Sequence, residues 1–292
     1  MKKSFNVGLL VLALFTFTVT AFAESASKSS KRIVSVGGGL TEIIYALGEQ
    51  DALVGVDTTS KYPPEAMKLP QVGYQRRLSA EGVLSLQPNL LIVTTDAGPD
   101  DVLQKIKSAG TPVVTLSRDY TVVGVAKNIQ KVAQVLGREA KGKELSEKIE
   151  SDYNKIKKAL ASIKKKNKSQ PSVAFFIGMG KGSPMASGTG TSADSMIKMA
   201  GGKNVFESFS SYKQISQESM IQAAPDVILI ARHAAKGLTL NDLLKHKSFS
   251  QTPAAKNNKI IIVDTLLMLG FGPRIVEAID TLAKQIHSVD KL

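Results

Sequence analysis

The chain has 292 residues, with 38 Lys and Arg against 25 Asp and Glu, a formal charge of +13, and neither cysteine nor tryptophan. Without a thiol there is no cysteine nucleophile, no thiolate metal site and no acylated-cysteine lipid anchor, and a chain this long has enough core to do without disulfides. The basic excess could draw nucleic acid or an anionic membrane, but zinc-finger spacing and an aromatic-rich RNP-like strand are both missing, so no nucleic-acid partner is expected.

Residues 1–23 read as a secretory signal peptide. Lys2 and Lys3 give the charged start, "VGLLVLALFTFTVTAFA" the apolar stretch, and Ala21-Phe22-Ala23 the cleavage site. The apolar run is somewhat longer than usual, so an uncleaved anchor is the alternative reading. No second apolar run of about 18 residues follows. The expected product is a soluble periplasmic protein of a Gram-negative bacterium, a monomer running from Glu24 to Leu292 with a charge of +11.

The mature chain suits two domains. In "RIVSVGGGLTEIIYALG" a strand, a glycine loop and a helix follow one another. "QVGYQRRLSAEG", residues 71–82, then sets Tyr74 and Arg76 in a loop before a helix. The bland reading is a packing tyrosine with solvated arginines; the sharp one is an anionic ligand for a metal centre. Next, "SAEGVLSLQPNLLIV" (79–93) matches "SQESMIQAAPDVILI" (216–230) at a spacing of 137 residues. In each, Ser caps a short helix, Glu (Glu81, Glu218) sits in its first turn, Pro follows the helix, and an aliphatic run forms a buried strand of a parallel sheet. So large a spacing means duplicated lobes, not a solenoid. "TPVVTL" and "KIIIVDTLLML" supply a later strand in each half.

Between the halves, "VVGVAKNIQKVAQVLG" reads as a helix, with Val125, Ile129, Val132, Ala133 and Leu136 on one face. The stretch after it is read as continuing that helix, with Leu145, Ile149, Tyr153, Ile156 and Leu160 in the same steps. It spans about 40 Å, too long for one small lobe. The organisation expected is an N-terminal α/β lobe (24–137), a bridging long helix (138–168) and a C-terminal α/β lobe (169–292), each lobe on a central parallel sheet, with the ligand cleft between them. Loops after strands should face that cleft: 37–39, the Tyr74 loop, 94–99, 117–120, 178–191, 232–237 and 266–274.

No enzyme is expected. His233, His246 and His287 stand in unrelated contexts, G-x-S-x-G is absent, and "GMGKGSPMASGTG" has neither P-loop nor Rossmann spacing. Of the three histidines only His233 follows a strand toward the cleft, and three scattered histidines make a poor zinc or manganese carrier. The glycine-rich stretch could still offer backbone N–H groups to an anion.

"SVGGGLTEIIYALG", "GYQRRLSAEGVLSLQPNLLIV", "SPMASGTGT" and "LLMLGFGPR", in that order, resemble the haemin-binding periplasmic proteins of bacterial haem ABC importers, within the wider group that carries ferric siderophores and cobalamin. The resemblance covers essentially the whole mature chain, and G-Y-x-R-x-L-S-x-E-G is its most specific part. It implies a carrier that captures ferric haem (haem b as haemin) and hands it to an inner-membrane ABC permease. By the same resemblance Tyr74 is the axial iron ligand and Arg76 hydrogen-bonds its phenolate. Arg77 either approaches a propionate or faces solvent; Gly38 counts among the haem-binding residues, and Met179 is a soft neighbour or a weak ligand of the haem. Glu81 and Glu218 dock on the permease. Some relatives carry a histidine in the loop after the first strand of the second lobe; "FFIGMGKGSPMASG" has none, which implies one haem, five-coordinate, with a stacked pair as the alternative. A ferric siderophore or cobalamin is the alternative cargo.

Overall fold

Short aliphatic runs, most of them followed by a glycine- or hydroxyl-rich loop and a helix, build two sheets in this computed structural model. It describes residues 31–166, 170–179 and 183–292; the signal-peptide reading of residues 1–23 lies outside them. Residues 31–292 form one compact unit. The first half runs β1 (Ile33–Val36), α1 (Gly38–Ala46), β2 (Leu53–Val56), a hairpin of β3 (Gly73–Tyr74) and β4 (Arg77–Leu78), α2 (Ala80–Leu84), β5 (Leu90–Thr94), α3 (Asp100–Ser108) and β6 (Val113–Leu116). Its sheet is wholly parallel, in the order β2-β1-β5-β6, with Val34 beside Leu91 and Val36 beside Val93.

The helices α4 (Val122–Leu136) and α5 (Glu139–Lys166) follow. They are two helices and not one continuous one. Gly137 takes the left-handed conformation (φ 67°) at the end of α4, and Arg138 N–H returns to the Ala133 carbonyl at 2.8 Å, a helix stop that needs a residue without a Cβ penalty. α5 then folds back on α4 so closely that a Cβ at Gly142 would stand 2.2 Å from that of Ala133.

The second half runs β7 (Ser172–Gly178), β8 (Met185–Ser187), α6 (Ser192–Met199), β9 (Lys203–Asn204), β10 (Tyr212–Gln214), α7 (Gln217–Ala223), β11 (Val227–Ala231), α8 (Leu240–Leu244), α9 (Pro253–Lys256), β12 (Ile260–Val263), α10 (Thr265–Leu269) and α11 (Ile275–His287). Its sheet is mixed, a departure from the parallel sheet expected. β7, β11 and β12 are parallel, but β8 runs antiparallel to both β7 and β10. β8 follows β7 after only six residues, and a parallel pair needs a crossover of a dozen or more.

The twin units form as read. Ser79 and Ser216 each accept a hydrogen bond from the backbone N–H three residues on, at the starts of α2 and α7. β5 and β11 are the buried strands that follow. Each lobe has its own outer cluster, around Val34, Leu91 and Ile106 in the first and Phe176, Ile230 and Phe249 in the second. A third cluster crosses between them through α1, α4, α5, α6 and α11, and takes in Ile129, Leu136, Ile149, Ile156, Met196 and Ile279. The long helix therefore does not bridge the lobes alone; it lies in a shared core.

Candidate functional site: a tyrosine-lined cleft between the lobes

The carboxyl ends of both sheets open on one cavity of about 1440 Å³. That exceeds the roughly 300–1,000 Å³ of most small-molecule pockets. Residues from all seven strand-end stretches named from the sequence line it. The loop after β2, residues 58–62, lines it as well and was not anticipated, because the short run "LVGV" gave no strand signal of its own.

The glycine loop after β1 is held by a buried carboxylate. Asp57 accepts from the Gly37 N–H (2.9 Å), from the N–H and hydroxyl of Thr59 (3.0 and 2.7 Å) and from the Ser60 hydroxyl (2.9 Å). Four donors satisfy one fully buried charge and tie the loops after β1 and β2 together. Gly38 lines the cleft, but its N–H is taken by the Thr59 hydroxyl at 3.0 Å. A Cβ there would come within 2.5 Å of Leu266, and one at Gly39 within 2.1 Å of the Gly270 carbonyl oxygen. These glycines admit the turn between α10 and α11 of the second lobe against α1 of the first. Beside that contact Arg274 donates twice to Glu42, Nε to Oε2 at 2.9 Å and Nη2 to Oε1 at 2.7 Å. The Tyr62 ring lies 3.5 Å from the same guanidinium. Burial pushes the Glu42 carboxyl up further than Arg274 pulls it down.

Tyr74 stands on the tip of the β3–β4 hairpin with 38% of its surface exposed, facing the cavity. The hairpin is sewn to the loop after β5 by Gly98 N–H to the Gln75 carbonyl and Leu78 N–H to the Gly98 carbonyl, both 2.9 Å. Arg76 lines the cavity beside Tyr74 and donates from Nη2 to Asp96 Oδ2 at 2.8 Å. The Asp96 bond, first among the causes, holds the Arg76 guanidinium above its ordinary value against the effect of burial. Arg118 donates to the same carboxylate oxygen, packs over the Tyr120 ring, and reaches the Leu269 carbonyl of the second lobe at 3.4 Å. Burial pushes the Asp96 carboxyl up, and the two arginines more than offset it, leaving it below the usual range.

Two candidates do not reach the cavity. Arg77 pairs with Tyr74 across the hairpin but is exposed outside the cleft lining. Met179 packs against the outer cluster of the second lobe. Strand alternation would have put it beside Ile177, which does line the cleft, but the register shifts between Phe176 and Gly178 and turns it to the other face. Glu81 and Glu218 lie outside the cleft, both exposed in the first turns of α2 and α7.

Four of the six tyrosines line the cleft: Tyr62, Tyr74, Tyr120 and Tyr212. Phe271 joins them, edge-on to Tyr120 at 5.2 Å between ring centres. Tyr212, half-buried in the cleft wall, has its phenol pushed up by that burial. On the second-lobe side, Arg232, His233 and Lys236 cluster after β11, and His233 Nδ1 is 3.0 Å from the Thr265 hydroxyl. Of these only Tyr74 carried a local motif. Tyr120, Phe271, Arg232, His233 and Lys236 are visible in sequence only as members of strand-end loops, and Tyr62 and Tyr212 lie outside the stretches named there. Among the described residues no group of three or more His, Cys, Asp or Glu could hold a metal ion, and no helix is long and apolar enough to cross a membrane.

A two-lobed α/β unit with a strand-end cleft and a long helix in the shared core is the architecture of a carrier, and the family model described as a periplasmic binding protein matches residues 33–266. The chain belongs to the periplasmic binding protein family. Among solved structures, this periplasmic binding protein is similar to the periplasmic heme-binding protein BhuT in complex with two hemes (36% identity, TM-score 0.83, 88% of this chain and 98% of that one). It is also similar to the periplasmic heme-binding protein RhuT from Roseiflexus sp. RS-1 (37%, TM-score 0.82, 89% and 98%). Among curated sequences it is 28% identical to a vitamin B12-binding protein of Vibrio parahaemolyticus over 97% of each chain. An uncharacterized ABC transporter substrate-binding lipoprotein, YvrC of Bacillus subtilis, matches at 28% over 89% of this chain and 81% of the relative. The family is one of substrate-binding transport proteins, not an enzyme class.

Proposed function

We propose that this periplasmic binding protein captures one ferric haem in the interlobe cleft through Tyr74 and delivers it to an ABC importer. The observation that carries the proposal is the Tyr74 hairpin: an exposed phenol on the cavity wall, with the Arg76 guanidinium near it, held together with that of Arg118 by the Asp96 carboxylate. A phenolate is a hard anionic donor suited to Fe(III), and adjacent cations favour the ionised form. The cleft fits the rest of the ligand. Its tyrosines and Phe271 offer ring faces and edges to a macrocycle, and Arg232, Lys236 and Lys61 along its lining offer cations to carboxylates. Nothing in this reading alters the haem. The protein binds, screens and releases it.

Glu81 and Glu218 are the docking groups in this account. They occupy equivalent places on the two lobes, so a permease that reads both gains from two linked attachments. The protein acts as a monomer in this scheme.

A second reading has support of its own. The Vibrio relative is named for vitamin B12, and tyrosine-rich walls would also suit a corrin. Equilibrium titrations of the wild-type protein with haemin and with cobalamin separate the two. Saturation by haemin near one equivalent, with cobalamin failing to compete, is the expected result. Saturable cobalamin binding without a haemin signal would overturn the haem reading.

A further inference from the structure

The turn between α10 and α11, within "LLMLGFGPR", holds a backbone conformation that its residue does not favour. Phe271 follows the Gly270 cap of α10 with φ 49°, the left-handed position that helix ends usually give to glycine. Glycines stand on both sides of it, not at it. Among the described residues the other non-glycine positions of positive φ hold Gln87, Ser211, Ala224, Asn258 and Ser288, so Phe271 is the one large apolar side chain there. A bulky residue stays left-handed only where its surroundings compel it, and such positions gather at functional sites.

The surroundings here are the contact between the lobes. A Cβ at Gly39 of α1 would stand 2.1 Å from the Gly270 carbonyl oxygen, and one at Gly272 would stand 3.1 Å from the Gly39 Cα. Gly270 N–H is bound to the Leu266 carbonyl at 2.7 Å, and Ile275 N–H to the Gly272 carbonyl at 3.0 Å. Beyond Pro273, Arg274 is held by both carboxylate oxygens of Glu42. The turn is thus fixed before and after Phe271. Its ring is carried into the cleft wall, 9% exposed and edge-on to Tyr120 of the first lobe. The Arg118 guanidinium lies over the Tyr120 ring and reaches the neighbouring Leu269 carbonyl.

We propose that Phe271 is a positioning residue of the ligand site: the turn clasped between the lobes holds its ring in place, and that ring fixes Tyr120, so that the two make one wall, set before the ligand arrives, against which the macrocycle rests. This rests on the haem reading above. A wall already in place spares the ordering of side chains on binding. The unfavourable backbone at Phe271 is the cost that stands against this gain. The contact is between rings and needs no iron, so the wall serves a porphyrin with or without its metal.

The test is titration with metal-free protoporphyrin IX, followed by fluorescence, and with haemin, followed by absorbance, in wild type, Phe271→Asn and Phe271→Tyr. Asparagine accepts the left-handed backbone but has no ring; tyrosine keeps the ring. We expect Phe271→Asn to bind both ligands about tenfold more weakly, with the ferric spectrum of its haemin complex unchanged, and Phe271→Tyr to stay within about twofold of wild type. A loss of fold alone would change that spectrum and would not be rescued by tyrosine. An asparagine variant that binds protoporphyrin as wild type does, a tyrosine variant that loses as much, or a wild type that takes haemin but not protoporphyrin would overturn the proposal. Should Phe271→Asn not fold, Tyr120→Leu removes the opposite ring with the turn untouched, with the same expectation. A wild-type protein without a saturable haemin signal would instead defeat the haem reading itself, which keeps the two failures distinct.

Discussion

At the scale of single residues, a few buried charges with well-defined partners hold the fold together. Glu42 is 5% exposed and meets Arg274 in a two-pronged bridge between the lobes. Replacing Arg274 with Met should cost about 3–5 kcal/mol in chemical denaturation, because it strands a buried carboxylate. Loss of less than about 1 kcal/mol would mean that Glu42 finds another donor. Glu49 behaves differently. Burial pushes its carboxyl up, but Arg138 and Lys31 together hold it below the ordinary value of 4.5. A depressed native value means the stabilisation is complete above the unfolded value and disappears as pH falls through the native one. Between about pH 5 and pH 3, stability should therefore fall more steeply in wild type than in Glu49→Gln, and parallel curves would contradict this. The places of Tyr74, Glu81 and Glu218 in the fold were legible at this scale because each sits in a local motif. Asp96, Arg118 and Arg274 were not, since their partners lie 20, 22 and 232 residues away.

At the scale of elements, amphipathic spacing found α4 and α5 and their buried faces, and the Ser caps found α2 and α7. What spacing could not show was the turn at Gly137, because the same apolar step continues on both sides of it. Nor could it show that Gly142 is where the two helices touch. Gly142→Ala should lower stability by about 1–3 kcal/mol, as overpacking against the fully buried Ala133 requires. An unchanged denaturation midpoint would mean that α5 shifts along α4 without penalty. The antiparallel β8 was missed for a related reason. Its glycine-rich approach reads as a loop, and only the shortness of that connection betrays its direction.

At the scale of the whole molecule, seven strand-end stretches were enough to locate the cleft, because topology alone puts the carboxyl ends of parallel strands together. The tyrosine lining was beyond reach, since Tyr62 lies in the loop after the short strand β2 and Tyr212 on the edge strand β10, neither with a strong pattern. The core shared by α1, α4, α5 and α11, with the Glu42–Arg274 bridge, argues against wide opening between the lobes. Free and loaded forms should differ by about 1 Å or less in backbone position, and a large change in X-ray scattering on adding haemin would contradict that. Charge reversal at both Glu81 and Glu218 should abolish uptake while leaving haemin binding intact; uptake at the wild-type rate would remove them from the docking surface. The central claim is the bond between Tyr74 and iron. Titrating wild type and Tyr74→Phe with haemin tests it directly. We expect wild type to saturate near one equivalent with a tyrosinate-type ferric spectrum and Tyr74→Phe to lose that spectrum along with most of its affinity. Identical spectra and affinities in the two proteins would show that Tyr74 is not the ligand.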